Sequence, residues 1–213
     1  MLSKLVSSFI GHLKPDRVTE RSTATTLALP PPELEGGEPL MRTLSRRRSA
    51  RAFQKTPLPP QILSNLLWAA FGMNRPGTGD RTAPSALNAQ EIDIYAALAG
   101  GLYIYSAKMH ALKLVAEVDA RRVTGYQDFV DEAPLDLIYV WDRAHMPLGA
   151  GSQQGIYAAV CTGAITQNVY LYCASAGLAT VARAFFDHRA LATALRLGKD
   201  EEVLLTQTVG YPG

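Results

Sequence analysis

Apolar residues recur at the three- and four-residue spacing of an amphipathic helix in several separate segments of the chain. Proline stands near the start of two of these segments, at Pro39 and Pro59, where its fixed backbone angle suits the first helical turn. The predicted helices cover residues 2–13, 39–47, 59–71, 151–177 and 188–197. The helix over residues 151–177 is apolar almost all round, which indicates burial on most sides and favours a dimer interface.

Other apolar segments are short and contain β-branched or aromatic residues, which is typical of strands. Strands are predicted over residues 92–98, 102–105, 135–141, 178–181 and 203–209. The first two form a predicted hairpin, because Ala99-Gly100-Gly101 between them suits a tight reversal. The third is nearly continuously apolar with one acid, Asp136, which predicts a central strand buried on both faces. Residues 74–80 are rich in glycine and proline and predict a loop, and the whole pattern predicts an α+β or α/β sandwich.

The N-terminal part of the chain differs from the remainder. Pro30-Pro31-Pro32 cannot continue a helix, and Gly36-Gly37 adds backbone freedom. Residues 15–38 are therefore predicted to form an extended arm after the first helix. Because 213 residues fit one domain with an extension, we divide the chain into residues 1–38, helix and arm, and residues 39–213, the compact domain.

Composition limits the classes of protein that fit. A hydrophobic fraction of 47% is ordinary for a globular domain, and no apolar run approaches the ~20 residues that span a bilayer. Cys161 and Cys173 lie on one predicted helix, roughly 18 Å apart, which excludes a disulfide between them. Two such thiols indicate a reducing, cytoplasmic compartment. The histidines are scattered without metal-ligand spacing, so no metal site is expected.

One short run concentrates positive charge: Arg46-Arg47-Arg48-Ser49-Ala50-Arg51, at the end of the second predicted helix. Guanidinium groups are planar forks whose donors match phosphate oxygens in pairs, so the run is a candidate phosphate site. Three other interpretations stay open here: a solvated basic face, a recognition sequence for a basophilic kinase, and a nucleic-acid contact. The nucleic-acid interpretation has little support, because the formal net charge is only +2 and the basic residues form no long stripe.

Several kinds of active site lack their motifs in this chain. It has no Gly-x-Ser-x-Gly nucleophile elbow, no P-loop and no complete Gly-x-Gly-x-x-Gly after a strand. A flavin site explains more residues at once, because the hydride chemistry then belongs to the cofactor and the protein needs no nucleophile. Such a protein must hold a phosphate, satisfy the pyrimidine edge of the ring, for example with an amide, and leave one ring face open.

The order of these parts resembles the flavin-dependent nitroreductase superfamily from about residue 39 onward. The resemblance implies an α+β, three-layer sandwich in which a central, mainly antiparallel sheet is flanked by helices. It also implies a homodimer with FMN sites at the interface. The superfamily's Arg-x-Ser-x-Arg motif grips the FMN phosphate and ribityl chain, and it is matched here by Arg47, Arg48, Ser49 and Arg51.

The resemblance implies three further contacts with the flavin ring. A Pro-Ser-Ser/Ala-x-Asn-x-Gln loop, which the second subunit places against the ring, is matched by Pro84, Ser85, Ala86, Asn88 and Gln90. A glutamine shortly before the central strand faces the pyrimidine edge, and Gln127 is the candidate. After the Gly-Leu pair that ends the long helix, a backbone amide meets flavin N5, and Ala184 and Phe185 are the candidates for that position.

Some details resemble one branch, the SagB-type dehydrogenases that oxidise thiazoline or oxazoline rings in peptides. They are Leu-Leu-Trp-Ala-Ala-x-Gly at 66–72, Arg-Thr-Ala-Pro-Ser-Ala at 81–86 and Gly-Leu-Tyr-x-Tyr at 101–105. The resemblance implies an FMN-dependent oxidoreductase with ping-pong hydride transfer through flavin N5. A small organic molecule or a peptide azoline is the implied substrate, and NAD(P)H is a candidate reductant.

The sequence also contains two candidate acid–base residues, and two alternative functions stay open. Tyr105 and Lys108 are lesser candidates for acid–base groups, and Tyr105 is expected mainly to pack on the hairpin. One alternative is a non-catalytic flavin-binding or scaffolding relative in which bulky side chains, Phe185 among them, cover N5. The other is a nucleic-acid-binding module that uses the arginine run, which would bind with a steep dependence on salt and carry no chromophore.

Overall fold

The computed structural model describes residues 25–146 and 148–213, so the predicted helix over residues 2–13 lies outside it. Within the described residues, seven strands form one sheet in which every neighbouring pair is antiparallel. In sheet order they are β1 (Thr26–Ala28), β6 (Ala111–Ala116), β5 (Gly101–Ser106), β4 (Ile92–Leu98), β7 (Leu135–Asp142), β9 (Glu201–Gly210) and β8 (Ala179–Arg183). Two short strands, β2 (Met73–Arg75) and β3 (Asp80–Arg81), form a separate ribbon.

The α-helices of the described chain agree closely with the predicted ones. They are α1 (Leu40–Arg46), α2 (Pro60–Phe71), α3 (Gln154–Ser175) and α4 (His188–Leu195). The long helix α3 starts later than predicted, because residues 148–153 form a 3₁₀ segment that is broken at Gly151, where φ is 57°. None of these helices is long and apolar enough to cross a membrane.

Helices cover both faces of the sheet. On one face, residues of α2 and α3 such as Leu67 and Ile165 pack in one core with Tyr139 of β7. On the other face, Leu191 of α4 packs with Ile138, the neighbouring residue of the same strand. Successive residues of a strand point to opposite faces, so β7 supplies both cores and is buried along its whole length. This confirms the α+β class, the mainly antiparallel sheet with flanking helices, and the central strand.

Two regions differ from the prediction. The predicted hairpin is part of a longer meander, because a third strand, β6, follows β5. The sequence of β6, Ala-Leu-Lys-Leu-Val-Ala, contains Lys113, which is buried. The prediction of a loop over residues 74–80 is wrong at its two ends, which belong to the β2–β3 ribbon around a turn. Cys161 and Cys173 are buried and unpaired, as predicted.

Residues 25–38, from the predicted arm, pack on the body of the domain. β1 pairs with β6 at the edge of the sheet, and Leu29 joins the main core. The Ser64 hydroxyl donates to the carbonyl of Pro30 at 2.6 Å, and the Gln61 amide donates to the carbonyl of Pro31 at 2.9 Å. The division of the chain at residue 38 stays a prediction, but this part of the arm contributes a strand and core contacts to the domain.

Candidate functional site

The arginine run follows α1 and lies along the outer edge of β8. The Arg47 amide closes the end of α1, and the Ala50 amide donates to the carbonyl of Thr180 in β8 at 3.0 Å. Residues 211–213 pair with residues 52–54 and hold the next part of the segment. Because β8 is an edge strand, the bond from Ala50 occupies a backbone carbonyl that would otherwise be open to solvent or to another chain. They also fix the backbone from which the candidate phosphate ligands project.

The charges of the arginines divide into two groups. Arg42 and Arg46, on α1, each form an ion pair with Glu38 at 3.1 Å. The second group is Arg47, Arg48 and Arg51. Within the described chain, none of these three forms an ion pair with an acidic residue. Arg48, Ser49 and Arg51 are exposed, and Arg47 is half-buried. Unpaired guanidinium groups beside a hydroxyl form the donor set that a phosphate monoester needs.

Tyr170 of α3 joins this segment to β8. Its hydroxyl lies 2.9 Å from Ser49 Oγ and accepts a hydrogen bond from the Ala182 amide at 2.9 Å. The Arg47 guanidinium carbon lies 5.2 Å from the centre of its ring, within the range of a cation–π contact. The position of Tyr170 within the predicted buried helix over residues 151–177 indicates packing only, so its role at this site was missed.

The candidates for the flavin ring lie at the end of β8. Ala184 and Phe185 follow the last residue of the strand and are exposed. The Phe185 ring packs against Tyr126 with 4.7 Å between ring centres, and Gln127 is the next residue along the chain. Gln127 Oε1 is buried and has no hydrogen-bond partner in the described part of the protein. The arginine segment contacts β8 at Thr180, and Ala184 follows four residues later, directly after the end of the same strand, about 13 Å away.

The loop that contains Pro84, Ser85, Ala86 and Asn88 lies elsewhere in the chain. It precedes β4, which is separated from β8 by β7 and β9, or about 14 Å across the sheet. The register pairs Thr180 with Val209, Val209 with Leu135, and Leu135 with Leu98, at the far end of β4 from this loop. That adds about 20 Å along the strands. Within one copy, the loop is therefore remote from the arginine segment.

The conformation of this loop is held by a buried carboxylate. Ser85 Oγ donates to Oε2 of Glu91 at 2.7 Å and accepts from the Gln90 amide at 2.7 Å. Leu87, Asn88 and Gln90 all have positive φ, between 50° and 56°, which is uncommon for residues other than glycine. Glu91 is fully buried, and sequence reasoning missed it because a single acid before a strand carries no recognisable motif.

Tyr105 and Lys108 lie near the opposite edge of the sheet, at the β5–β6 turn. Tyr105 is buried, and its hydroxyl lies 3.0 Å from Nδ1 of His110. Burial raises the pKa of the Tyr105 phenol well above its usual value, so it stays protonated. Lys108 is exposed in the turn. The structure thus places both at a distance from the residues around β8 in the same copy.

Three carboxylates form a cluster that the sequence did not indicate. Oxygens of Asp93, Asp142 and Glu201 lie within 4.8 Å of one another. Asp142 accepts a hydrogen bond from the Ala144 amide, and Glu201 accepts one from the Gly198 amide. The cluster therefore has partners within the fold, and the expected absence of a metal site stays a prediction.

Comparison with known proteins gives the family. The model of the nitroreductase family matches residues 44–211. A nitroreductase-family protein of Methanocaldococcus jannaschii is 30% identical over 156 residues, which cover 68% of this chain and 78% of the relative. The crystal structure of a nitroreductase-family protein from Ralstonia eutropha JMP134 is 43% identical, with a TM-score of 0.84, and the match covers 96% of this chain and 97% of that one.

A more distant match shows the fold alone. The E. coli microcin synthetase complex McbBCD, bound to truncated pro-MccB17, contains a chain that is 19% identical, with a TM-score of 0.72, over 96% of this chain and 84% of that one. The fold, the matched residues and the close relatives agree, so the chain belongs to the nitroreductase family. Its relatives support an oxidoreductase.

Proposed function

We propose that this protein is an FMN-dependent oxidoreductase whose phosphate site is the segment Arg47–Arg51. The observation that carries the proposal is the cluster of Arg47, Arg48 and Arg51, which has no acidic partner in the described chain and lies beside the Ser49 hydroxyl. A cluster of this kind repels itself unless an anion neutralises it. The terminal phosphate of FMN supplies a dianion, and paired oxygen acceptors suit the guanidinium forks.

The residues present also fit the ring of the cofactor. The orphaned Oε1 of Gln127 marks an amide whose hydrogen-bonding capacity is not used up within the described chain. An amide both donates and accepts, as the pyrimidine edge of a flavin requires. Ala184 is exposed and directly follows β8, and its backbone amide is the donor we assign to flavin N5. Bound FMN supplies the hydride chemistry, and the protein binds, orients and shields it.

We further propose a homodimer in which the second copy completes each site. The loop at Pro84–Asn88 precedes β4, which is separated from β8 by β7 and β9 in the same copy, or about 14 Å across the sheet. Apolar side chains that a single copy leaves exposed support this arrangement, and they are Leu40 and Met41 of α1, Leu87 of the loop, and Ile156 and Val160 of α3. Covering such residues against a second copy removes apolar surface from water.

The substrate proposed here is a small organic molecule or a peptide azoline, with NAD(P)H as a candidate reductant in a two-step reaction. The NADPH:FMN oxidoreductase from Vibrio harveyi, complexed with NAD⁺, has the same fold. It is 20% identical, with a TM-score of 0.59, over 81% of this chain and 68% of that one. The microcin synthetase McbBCD complex has truncated pro-MccB17 bound. Both similarities concern the fold, and they support the two substrate classes only as candidates.

One observation favours a second function, a flavin-binding relative without turnover. Phe185 is 68% exposed and Tyr126 is 53% exposed, and the two rings pack together beside the proposed N5 position. Side chains of this size lying over the ring would close the face at which substrates react. Electron transfer from the dithionite-reduced protein to a nitroaromatic or a quinone separates the two functions, because only an open ring face passes electrons on.

The first test is the visible absorbance spectrum of the purified protein before and after FMN is added and the sample is desalted. We expect flavin bands to be retained by the wild type and by Arg42→Ala, since Arg42 is engaged with Glu38. The double variant Arg47→Ala, Arg51→Ala should lose the bands on desalting, because it removes two of the three unpaired cations. A wild type that stays colourless after FMN is added would contradict the proposal.

A further inference from the structure

A buried ion pair adjoins the residues that we propose to contact the flavin ring. Arg183, the last residue of β8, is 7% exposed, and Asp136 of β7 is fully buried. Arg183 Nη2 donates to Asp136 Oδ1 at 2.7 Å and to Thr208 Oγ1 at 2.7 Å. The Thr208 hydroxyl also bonds to Asp136 Oδ1, so the pair joins β8, β9 and β7 at one point.

The same guanidinium holds the loop that leads to Gln127. Nη1 donates to the carbonyl of Thr124 at 3.0 Å, and Nη2 lies 3.2 Å from the Thr124 hydroxyl. The carbonyl of Thr124 accepts a second bond, from the Thr206 hydroxyl at 2.9 Å. Thr124 is completely buried, and Tyr126 and Gln127 follow it after a single glycine. One side chain thus binds the loop before Gln127 to the strand before Ala184.

Gly125 shows how closely the guanidinium approaches this loop. A Cβ atom at Gly125 would lie 1.9 Å from Arg183 Nη1 and 2.6 Å from Gln127 Oε1. The guanidinium and the amide oxygen therefore both border the same small space. A positive group favours the oxygen of the amide over its nitrogen on that side, so Arg183 also favours one orientation of the Gln127 amide.

A buried ion pair of this kind adds little net stability to the fold, which indicates a positional role. Burial raises the pKa of Asp136 to about 6 and lowers the pKa of Arg183, which shows that desolvation opposes both charges. Apolar residues of similar volume often stabilise a fold as well as a buried ion pair does. The planar guanidinium of Arg183 donates hydrogen bonds to the loop at Thr124, to β7 and to β9. Such directional bonds fix the relative positions of these elements, which apolar contacts do not.

We propose that Arg183 is a positioning residue, held by Asp136, that locks residues 124–127 to the end of β8 and orients the Gln127 amide toward the cofactor. The locking of the loop is independent of any ligand. The orientation of the amide toward the flavin rests on the proposed function. Arg183 itself need not touch the cofactor or the substrate, because both of its Nη groups donate to Asp136, Thr124 and Thr208. Its Nε is buried and has no hydrogen-bond partner in the described part of the protein.

The test uses the full chain with the double substitution Arg183→Gln, Asp136→Asn. Both buried charges are removed together, which avoids leaving one of them unpaired. In the protein without FMN, we expect amide hydrogen exchange of residues 124–127 and 183–185 to become about tenfold faster or more, as expected for lost charge-assisted hydrogen bonds. With FMN, we expect the dissociation constant to rise by a similar factor and the flavin absorbance band to shift.

Two further variants separate positioning from general stability. Gly125→Ala keeps both charges but places a methyl group against the guanidinium and the Gln127 oxygen, so we expect it to reproduce both effects. Tyr139→Phe removes a buried hydrogen bond to Gln207 between the same two strands, β7 and β9, on the opposite face. We expect it to lower the unfolding temperature while leaving loop exchange, FMN affinity and the spectrum unchanged.

The outcomes distinguish this inference from the proposed function. Unchanged exchange of residues 124–127 in a folded double variant would overturn the positioning role, even if FMN binds normally to the wild type. If Tyr139→Phe changes exchange and the spectrum as much as the double variant does, the effect is one of general stability and the inference also fails. Faster loop exchange in a protein that never binds FMN would uphold the locking and refute the proposed function.

Discussion

At the scale of single residues, the Tyr170 hydroxyl organises the proposed phosphate site. It accepts a hydrogen bond from the Ala182 amide and shares one with Ser49 Oγ. A phenol has one proton, and when Tyr170 gives it to Ser49, the Ser49 hydroxyl keeps its own proton for a phosphate oxygen. Periodicity places Tyr170 correctly on a buried helix, but it does not reveal that the hydroxyl reaches a different element.

We expect Tyr170→Phe to weaken FMN binding about fivefold or more, because a hydrogen bond contributes about 1 kcal/mol and the Ala182 amide loses its partner. Titration of flavin fluorescence measures the change. The matched control is Tyr172→Phe on the same helix, whose hydroxyl contacts the carbonyl of Ile62 at 3.4 Å. Equal losses in the two variants would show that the effect is not specific to the phosphate site.

At the scale of elements, residues 25–38 are attached to the body through His110. Its Nε2 lies 2.7 Å from Ser64 Oγ and 3.1 Å from the carbonyl of Pro30, and its Nδ1 faces the Tyr105 hydroxyl. Burial lowers the pKa of His110, partly offset by the bond to Pro30. The neutral ring therefore belongs to the folded state, and it connects the segment after β1 to α2 and to the β5–β6 turn.

This contact predicts a pH dependence of stability. Because the pKa of His110 is lower in the folded protein, the unfolded chain binds the proton more readily, and stability is lost as pH falls below about 6.5. We expect the advantage of the wild type over His110→Asn in unfolding temperature to be largest at pH 7.5 and to shrink toward pH 5. Asparagine tolerates the positive φ of 46° at this position. A difference that stays constant or grows on acidification would contradict the prediction.

The elements that could be predicted from the sequence are those whose buried residues recur at regular spacing along the chain. The helix α2 and the strand β7 bury residues at regular spacing, so their periodicity is visible in the sequence. The strand β6 was missed because Lys113 interrupts its short apolar run, and β1 because three exposed residues carry no pattern. The Arg183 network was missed for a similar reason: Asp136 was recognised as an isolated acid in an apolar strand, but its partner lies 47 residues away.

At the scale of the whole molecule, the two halves of the proposed site lie on distant parts of one copy. The arginine segment lies beside the edge strand β8, whereas the loop at Pro84–Asn88 lies just before β4, near the middle of the sheet. The long helix α3 buries one side in the core and exposes Ile156 and Val160 on the other. This exposed side is where the sequence predicted a dimer interface. We propose that a second copy covers this side and places its own loop at the first copy's β8.

Complementation between two defective copies tests this arrangement. Arg47→Ala, Arg51→Ala removes phosphate ligands, and Ser85→Glu places a second carboxylate beside Glu91 and displaces the loop. Each variant alone should retain little FMN. If the loop acts on the partner's cofactor, a mixed dimer has one site in which both parts are intact. Heterodimers made by co-expressing the two variants, and purified through a different affinity tag on each, should then retain about one FMN per dimer. If each copy uses its own loop, every site in the mixed dimer carries a defect, and the heterodimer should retain no more FMN than either parent.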